Sequence, residues 1–299
     1  MITLHAPAKI NWSLYVLGKR NDGYHNILSL MQLIGLYDTI TFEKAADIEL
    51  HCDMHMPQEQ NLVFRAAVLL KEQKHTALGA KITLQKEIPS GAGLGGGSSD
   101  AAYTLMGLNQ LWGLGLKQQE LMDLAISLGS DVPFFLAGSA AIVKGRGEVL
   151  HPVILLKAHS VLIVKPEVSV STGWAYGMID VSRINMDMVQ NLTNNEEKLN
   201  NIKLIIRTLE DGHLHSLQMA LHNDFEMAVF EKHPEIGEIK HKMLVAGAAA
   251  ALMSGSGSAV FGLFETYEKA VETAALFPSF WNRIVGTHQA GNDGLAFTH

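Results

Sequence analysis

The chain has 299 residues, 47% hydrophobic and 18% charged, an ordinary globular balance for which two domains are the better expectation. Its net charge of −7 argues against a nucleic-acid partner, because such binders need a basic stripe to displace counterions; any phosphate must be held locally. The single cysteine, Cys52, excludes intrachain disulfides and zinc sites built on several thiolates, and a buried free thiol is expected.

Met1 to Pro7 shows no basic segment followed by an apolar one, so a cytoplasmic protein without a secretory signal is expected. Thr3 to Leu17 reads as a strand in which apolar residues alternate with Lys9, Asn11 and Ser13, giving a core face and a polar face. A turn-rich loop at Gly18 to His25 leads to two further strands, Ile27 to Leu36 and Thr39 to Phe42. Asn61 to His75 carries a helical period with Asn61 as its cap, and Ala80 to Ile88 alternates as a strand. The glycine-rich run Pro89 to Ser99 then opens a helix over Asp100 to Trp112, and a second helix, Leu116 to Leu128, ends at Gly129. Strands follow at Ala140 to Val143, Val149 to Val153 and Ser160 to Val164. The domain boundary is placed there, giving 1–157 and 158–299. The remainder is mainly helical from Thr172 to Val245 with a polar loop at Asn191 to Asn201, then strand-loop-strand at Ala249 to Phe264, a helix and a strand.

Fourteen histidines raise the question of a metal, but no HExxH pair occurs, and His213 and His215 would face opposite sides of a strand. Surface histidines and no metal site are expected. The longest apolar stretch, around Val245 to Met253, falls well short of the roughly 20 residues that a bilayer demands, so no membrane span is expected.

Three segments carry chemistry. In Pro89-Ser90-Gly91-Ala92-Gly93-Leu94-Gly95-Gly96-Gly97-Ser98-Ser99-Asp100 so many glycines before a helix leave backbone N–H groups free to converge on a phosphate, and Ser98 and Ser99 add hydroxyl donors. Gly91 to Gly96 fits GxGxxG, yet the acidic residues about 20 positions on, Glu120 and Asp123, lie within a helix rather than at a strand end. A Walker loop would need a lysine after Gly97, where Ser98 stands. Lys9 and Asn11 form the second segment and Gly129-Ser130-Asp131-Val132-Pro133-Phe134 the third. Taken alone, a solvated lysine and a turn aspartate would be their ordinary readings.

Together, in this order and with Leu252-Met253-Ser254-Gly255-Ser256-Gly257-Ser258-Ala259-Val260-Phe261-Gly262 near the C-terminus, these segments resemble the GHMP kinases over nearly the whole chain. That resemblance implies an α/β (α+β) two-domain fold with the active site in the interdomain cleft, and an ATP-dependent phosphotransferase acting on a small-molecule alcohol. Ala6 to Asn11 followed by Arg20-Asn21-Asp22-Gly23-Tyr24-His25, with Gly129 to Phe135 and Lys144-Gly145-Arg146-Gly147-Glu148, is similar to the branch whose acceptor carries a cytidine and belongs to isoprenoid-precursor synthesis. The resemblance implies Asp131 as general base, Lys9 beside it, and ATP held by Pro89 to Ser99 with Mg²⁺ held mostly by phosphates and water near Ser98, Ser99 and Asp131. It further implies Asn61 and Lys86 near the adenine, Asn11 with the substrate, Tyr24 stacked on the cytosine, His25 on its edge, and a second aromatic wall at Tyr176, for which Trp174 competes. Ser254 to Ser258 would close over the substrate diphosphate or support the first loop. A monomer or homodimer is expected. Another kinase of the superfamily, acting on homoserine, mevalonate or a sugar, is the nearest rival. A catalytically silent sensor is disfavoured by the presence of both Lys9 and Asp131, and an NAD-linked oxidoreductase ranks last.

Overall fold

The first strand, β1 (Ile2–Lys19), forms where alternation places it, but its polar face is not wetted. Lys9, Asn11 and Ser13 are 3%, 0% and 0% exposed, so Lys9 is not the solvated lysine that a strand lysine taken alone would suggest. Buried polar groups must find partners. Here Asn11 Nδ2 donates to Ser29 Oγ at 2.9 Å, and Ser29 Oγ donates to the Ser13 carbonyl at 2.5 Å. Trp12 Nε1 donates to Gln32 Oε1 at 2.7 Å. The alternation marks an internal hydrogen-bonded layer shared with β2 (His25–Ala45), which runs unbroken through both of the predicted strands.

A computed structural model of the chain describes residues 1–53, 56–183 and 190–290. It divides into two compact units. The first comprises Met1–Lys9, Gly35–Ser90 and Gly95–Gly138, and the second Ile10–Ile34, Gly91–Leu94 and Ser139–His299, so both long strands contribute to each.

In the first unit the strands run β3-β4-β2-β1. The unforeseen β3 (Ile48–Cys52) is parallel to β4 (Gly79–Gln85), which is antiparallel to β2. Cys52, the last residue of this outer strand, is half-buried, not the buried thiol expected. Three helices pack on one another: α1 (Leu62–Gln73), α2 (Gly96–Trp112) and α3 (Gln118–Leu128). Asn61 caps α1 by accepting the Val63 N–H at 2.9 Å, and Val63, Ala66, Ala67 and Leu70 form its buried face. Asn61→Ala is therefore expected to cost about 1 kcal/mol and to lower Tm by about 2 °C in a thermal melt. An unchanged Tm would remove the cap from the account.

In the second unit the order is β8-β1-β2-β5-β6, with β5 (Ala140–Gly145) and β6 (Val149–Pro152) antiparallel and β8 (His222–Asn223) parallel to β1. A separate antiparallel sheet, β11-β7-β10-β9, holds β7 (Ser160–Lys165), β9 (Ala250–Met253), β10 (Val260–Phe264) and β11 (Trp281–Gly286). The helices are α4 (Thr172–Arg183), α5 (Gln190–Asp211), α6 (Leu217–Ala220), α7 (Glu226–Lys232), α8 (Pro234–Val245) and α9 (Tyr267–Ala274). Among them α8 packs on β9 and β10, and α9 on β7, β10 and β11. The polar loop expected at Asn191 to Asn201 is instead the first half of α5. Buried Ile202, Ile205 and Leu209 repeat at helical spacing in its second half and anchor a helix that extends backward through residues with no strong breaker. His213 precedes a short 3₁₀ turn, Leu214–Ser216, and His215 lies within it, so the two do not share a strand.

Candidate active site

The glycine segment joins β4 to α2, and its local chemistry follows from the backbone. Gly91, Gly93 and Gly95 all take positive φ (63°, 76° and 74°), a region that L side chains avoid. At Gly93 the requirement is also steric, because a Cβ would stand 1.9 Å from the Ser254 carbonyl oxygen. At Gly95 a Cβ would meet the Phe135 ring at 2.7 Å and the Lys9 stem at 3.0 Å, so glycine there lets the loop lie directly on Lys9.

Helix α2 begins at Gly96, four residues before the Asp100 at which the helical pattern starts, because glycines are silent in a periodicity argument. Its first N–H groups, at Gly96, Gly97 and Ser98, have no acceptor within the helix. No acidic residue stands in its first turn, and the 17-residue helix directs its positive end there. Among the described residues, the buried side-chain atoms without a hydrogen-bond partner are Ser99 Oγ, at the end of this turn, and Asp100 Oδ1, just beyond it. A hydroxyl left unpaired beside free amides is what a phosphate-bearing ligand with its cation would satisfy, so the residues fit nucleotide binding.

Lys9 Nζ lies 3.6 Å from Asp131 Oδ2. The aspartate is held at the junction between α3 and a 3₁₀ turn, Pro133–Leu136, anchored by fully buried Phe134 and Phe135. It stays 32% exposed while Lys9 is only 3% exposed, so the pair presents its carboxylate and not its ammonium to solvent. Burial lowers the Lys9 pKa from its ordinary 10.5, with the Asp131 charge and hydrogen bond opposing.

Lys86 and Asn61 occupy structural positions. Asn61 Oδ1 is taken by the α1 cap. Lys86, readable as a strand-edge charge, is instead buried and bound through Nζ to Asp38 Oδ2 and, at 2.6 Å, to Asp100 Oδ2. Burial opposes the Lys86 charge, but Asp100 and Asp38 outweigh it and raise its pKa. Burial likewise pushes Asp100 up to about 7, with Lys86 pulling it down and Asp38 pushing it further up. Neither aspartate was among the candidates, yet each carried a signal. Asp38 stands in phase with buried Leu36, Ile40 and Phe42 on β2, and Asp100 in phase with buried Thr104 and Leu108 on α2.

In the second unit, Gly91–Leu94 is held by the C-terminal glycine motif. Ser254 Oγ donates to the Gly93 carbonyl at 3.0 Å and Ala259 N–H to the Ala92 carbonyl at 3.1 Å. Asn223, missed by sequence reasoning, forks its amide onto the Met253 and Gly255 carbonyls, each at 2.8 Å. Of the two roles expected for Ser254 to Ser258, support of the first loop is the one these bonds display.

The aromatic candidates separate. His25 stacks on Tyr176 with ring centroids 4.7 Å apart and planes 18° apart, and Tyr176 meets Phe225 edge-on at 4.9 Å. Trp174 instead lies under Lys232, whose Nζ is 4.0 Å from the ring, and near His233. Tyr24 is 51% exposed, with the Arg146 guanidinium 5.0 Å from its ring. Asn11 is fully buried, its amide turned to Ser29. Among the described residues no cluster of three or more His, Cys, Asp or Glu could hold a metal, and no helix is long and apolar enough to cross a membrane.

Comparison with known proteins bears on the same segments. The description "GHMP kinases N terminal domain" matches residues 61–139, and "GHMP kinases C terminal" matches residues 198–282. A protein of Thermodesulfovibrio yellowstonii named 4-diphosphocytidyl-2-C-methyl-D-erythritol kinase is 45% identical over 288 residues, covering 96% of this chain and 98% of the relative. One of the same name from Alkaliphilus metalliredigens is 42% identical over 90% of each chain. A crystal structure of 4-(cytidine 5'-diphospho)-2C-methyl-D-erythritol kinase superposes with a TM-score of 0.79 at 33% identity, covering 96% and 99% of the two chains. A homoserine kinase from Cytophaga hutchinsonii, at TM-score 0.72 but 19% identity and coverage of 96% and 94%, shares the fold.

Proposed function

This chain belongs to the GHMP kinases, and from that premise we propose that it transfers a phosphoryl group from ATP to the 2-hydroxyl of 4-diphosphocytidyl-2-C-methyl-D-erythritol. The reaction is a step of the methylerythritol phosphate route to isoprenoid precursors. The observation that carries the chemistry is the Lys9–Asp131 pair, whose lysine stem packs beneath Gly95 at the mouth of α2. The near-complete coverage of relatives bearing that substrate's name carries the choice of alcohol.

Phosphoryl transfer asks a protein chiefly to position reactants and to neutralise charge on the transferred group. The N–H groups of Gly96, Gly97 and Ser98, with the positive end of α2, supply that neutralisation. Asp131 accepts the proton of the attacking hydroxyl, and Lys9 orients that hydroxyl and offsets the charge that develops on it. Mg²⁺ entering with ATP would be held mostly by phosphates and water; Ser99, whose Oγ has no hydrogen-bond partner, would suit it better than Ser98, and the partly exposed carboxylate of Asp131 would be the other candidate. Bound Mg²⁺ would supply a further counter-charge to the transferred group. Pro89 to Gly95 form the remainder of the phosphate loop. Asn61 and Lys86 act on the nucleotide side through the elements they hold, and Asn11 on the substrate side through the strand that carries Lys9.

Tyr24, half exposed, stacks on the cytosine, while His25 and Tyr176 form the facing pair. Their mutual stacking supports Tyr176 over Trp174 as the second wall. Tyr176→Ala is accordingly expected to raise KM for the cytidyl substrate about tenfold and to leave KM for ATP unchanged, whereas Trp174→Ala should stay within about twofold on both. Equal effects from the two variants would reverse the assignment. We place a domain boundary near residue 157, in the stretch between the family segments 61–139 and 198–282. A cytoplasmic monomer or homodimer suits an enzyme of small soluble substrates.

The test is to follow new phosphomonoester signals by phosphorus NMR with Mg-ATP and, in separate tubes, 4-diphosphocytidyl-2-C-methyl-D-erythritol, homoserine or mevalonate. A product only in the first tube supports the reading. Turnover of another alcohol would overturn the cytidine roles, and ATP binding without turnover in any tube would favour a sensor.

A further inference from the structure

The run from Lys86 to Gly95 has to hold free amides in one place although its glycines make it entropically loose, each costing about 0.5–1 kcal/mol more than alanine to order. Something outside the run must tether it. On β2, fully buried Asp38 accepts through Oδ1 the N–H of Glu87 at 2.7 Å and of Ile88 at 2.9 Å, where the chain leaves β4. Its other oxygen takes Lys86 Nζ, and the same ammonium reaches Asp100 Oδ2 in the first turns of α2 at 2.6 Å. Lys86 lies close under the helix start, since a Cβ on Gly96 would stand 3.2 Å from Nζ. One lysine and two carboxylates thus join β2, the entry to the glycine run and the helix that ends it.

We propose that Asp38, Lys86 and Asp100 are positioning residues, a buried clamp that sets the two ends of the glycine loop at the separation phosphoryl transfer requires. The inference rests on the reading of that loop as the phosphate site. Stability alone is a poor account of the cluster. It buries a surplus negative charge, it leaves Asp100 Oδ1 without a partner, and apolar residues of similar volume would hold the same elements as well or better. What the charges add is geometry. Charge-assisted hydrogen bonds have short, directional optima, and a displacement of about 1 Å at a reacting centre costs on the order of 10²-fold in rate.

The test compares the wild type with Asp100→Asn and with the neutral triple variant Asp38→Asn/Lys86→Met/Asp100→Asn, which keeps the volumes and the acceptor for Glu87 and Ile88. Folding is checked by circular dichroism, affinity for a non-hydrolysable ATP analogue by calorimetry, and kcat and both KM values in the kinase assay. Folded Asp100→Asn is expected to show about a tenfold lower kcat and a severalfold weaker analogue affinity, with KM for the alcohol within about twofold; the triple variant should lose about 10²-fold in kcat. A folded triple variant with kcat and analogue affinity within twofold of the wild type would overturn the clamp, as would an equal rise of both KM values. If the triple variant fails to fold, Asp100→Asn decides by the same criteria. Absence of analogue binding to the wild type would instead overturn the phosphate-loop reading, and the clamp with it.

Discussion

Asp131→Asn is expected to lower kcat by about 10³-fold while leaving the affinity for ATP within about threefold of the wild type. The substitution keeps the shape of the side chain and its place between α3 and the Pro133–Leu136 turn, so the fold should be kept, with some loss of stability because buried Lys9 loses its counter-charge. It removes the carboxylate that faces Lys9 and that we propose takes the proton, and general-base help is worth about 10² to 10⁴ in rate. Lys9→Met should cost about 10²-fold, since the Asp131 carboxylate remains but loses the cation that orients its partner. The pH dependence follows from the same pair. Burial lowers the Lys9 pKa below 10.5, so folded Lys9 binds fewer protons than unfolded in the interval beneath that value. Stability from this group therefore rises with pH across that interval, while the ion pair with Asp131 is lost. Wild-type kcat should fall on the alkaline side before pH 10.5, and Lys9→Met should lack that limb. Single-turnover rates over a pH series are the measurement, and an Asp131→Asn variant within threefold of wild type would remove the base from the mechanism.

Gly93→Ala is expected to abolish measurable turnover and to lower stability by about 3 kcal/mol. Two costs coincide at this residue. A positive φ of 76° disfavours any Cβ by about 1–2 kcal/mol, and the added carbon would overlap the Ser254 carbonyl at 1.9 Å, where the obstacle is backbone and cannot rotate away. The loop must then pull away from Ser254, losing the hydrogen bond from Ser254 Oγ to the Gly93 carbonyl. Gly97→Ala is the informative contrast. Its Cβ meets nothing nearer than Leu62 Cδ1 at 3.7 Å, and it should fold as well as the wild type or slightly better. A weaker ATP affinity in folded Gly97→Ala would then report the space above the helix start that phosphate occupies. Chemical denaturation with parallel calorimetry separates the two variants, and a fully stable Gly93→Ala would refute the close approach.

The elements were largely legible because they obey local rules. Alternation found β1, helical spacing found α1 to α3, and Asn61 announced its cap. Failures occurred where a neighbour overrode local polarity. The first half of α5 has no apolar stripe but is carried by Ile202, Ile205 and Leu209 in the second. Short β3 and β8 owe their strand state to pairing with β4 and β1, which no local pattern shows.

At the site, residue type and spacing by themselves determined the glycine loop before a helix, the aspartate at a turn and the lysine on a strand, since backbone freedom, helix ends and side-chain period are properties of short segments. Only the tertiary structure decided which charges meet. It set the 3.6 Å between Lys9 and Asp131 that the resemblance had only implied, turned Lys86 from a strand-edge charge into the centre of a buried cluster, and set Tyr176 rather than Trp174 against His25. The physical reason is that a buried charge or ring takes the partner that desolvation leaves within reach, and that partner is set by the packing of elements far apart in the chain.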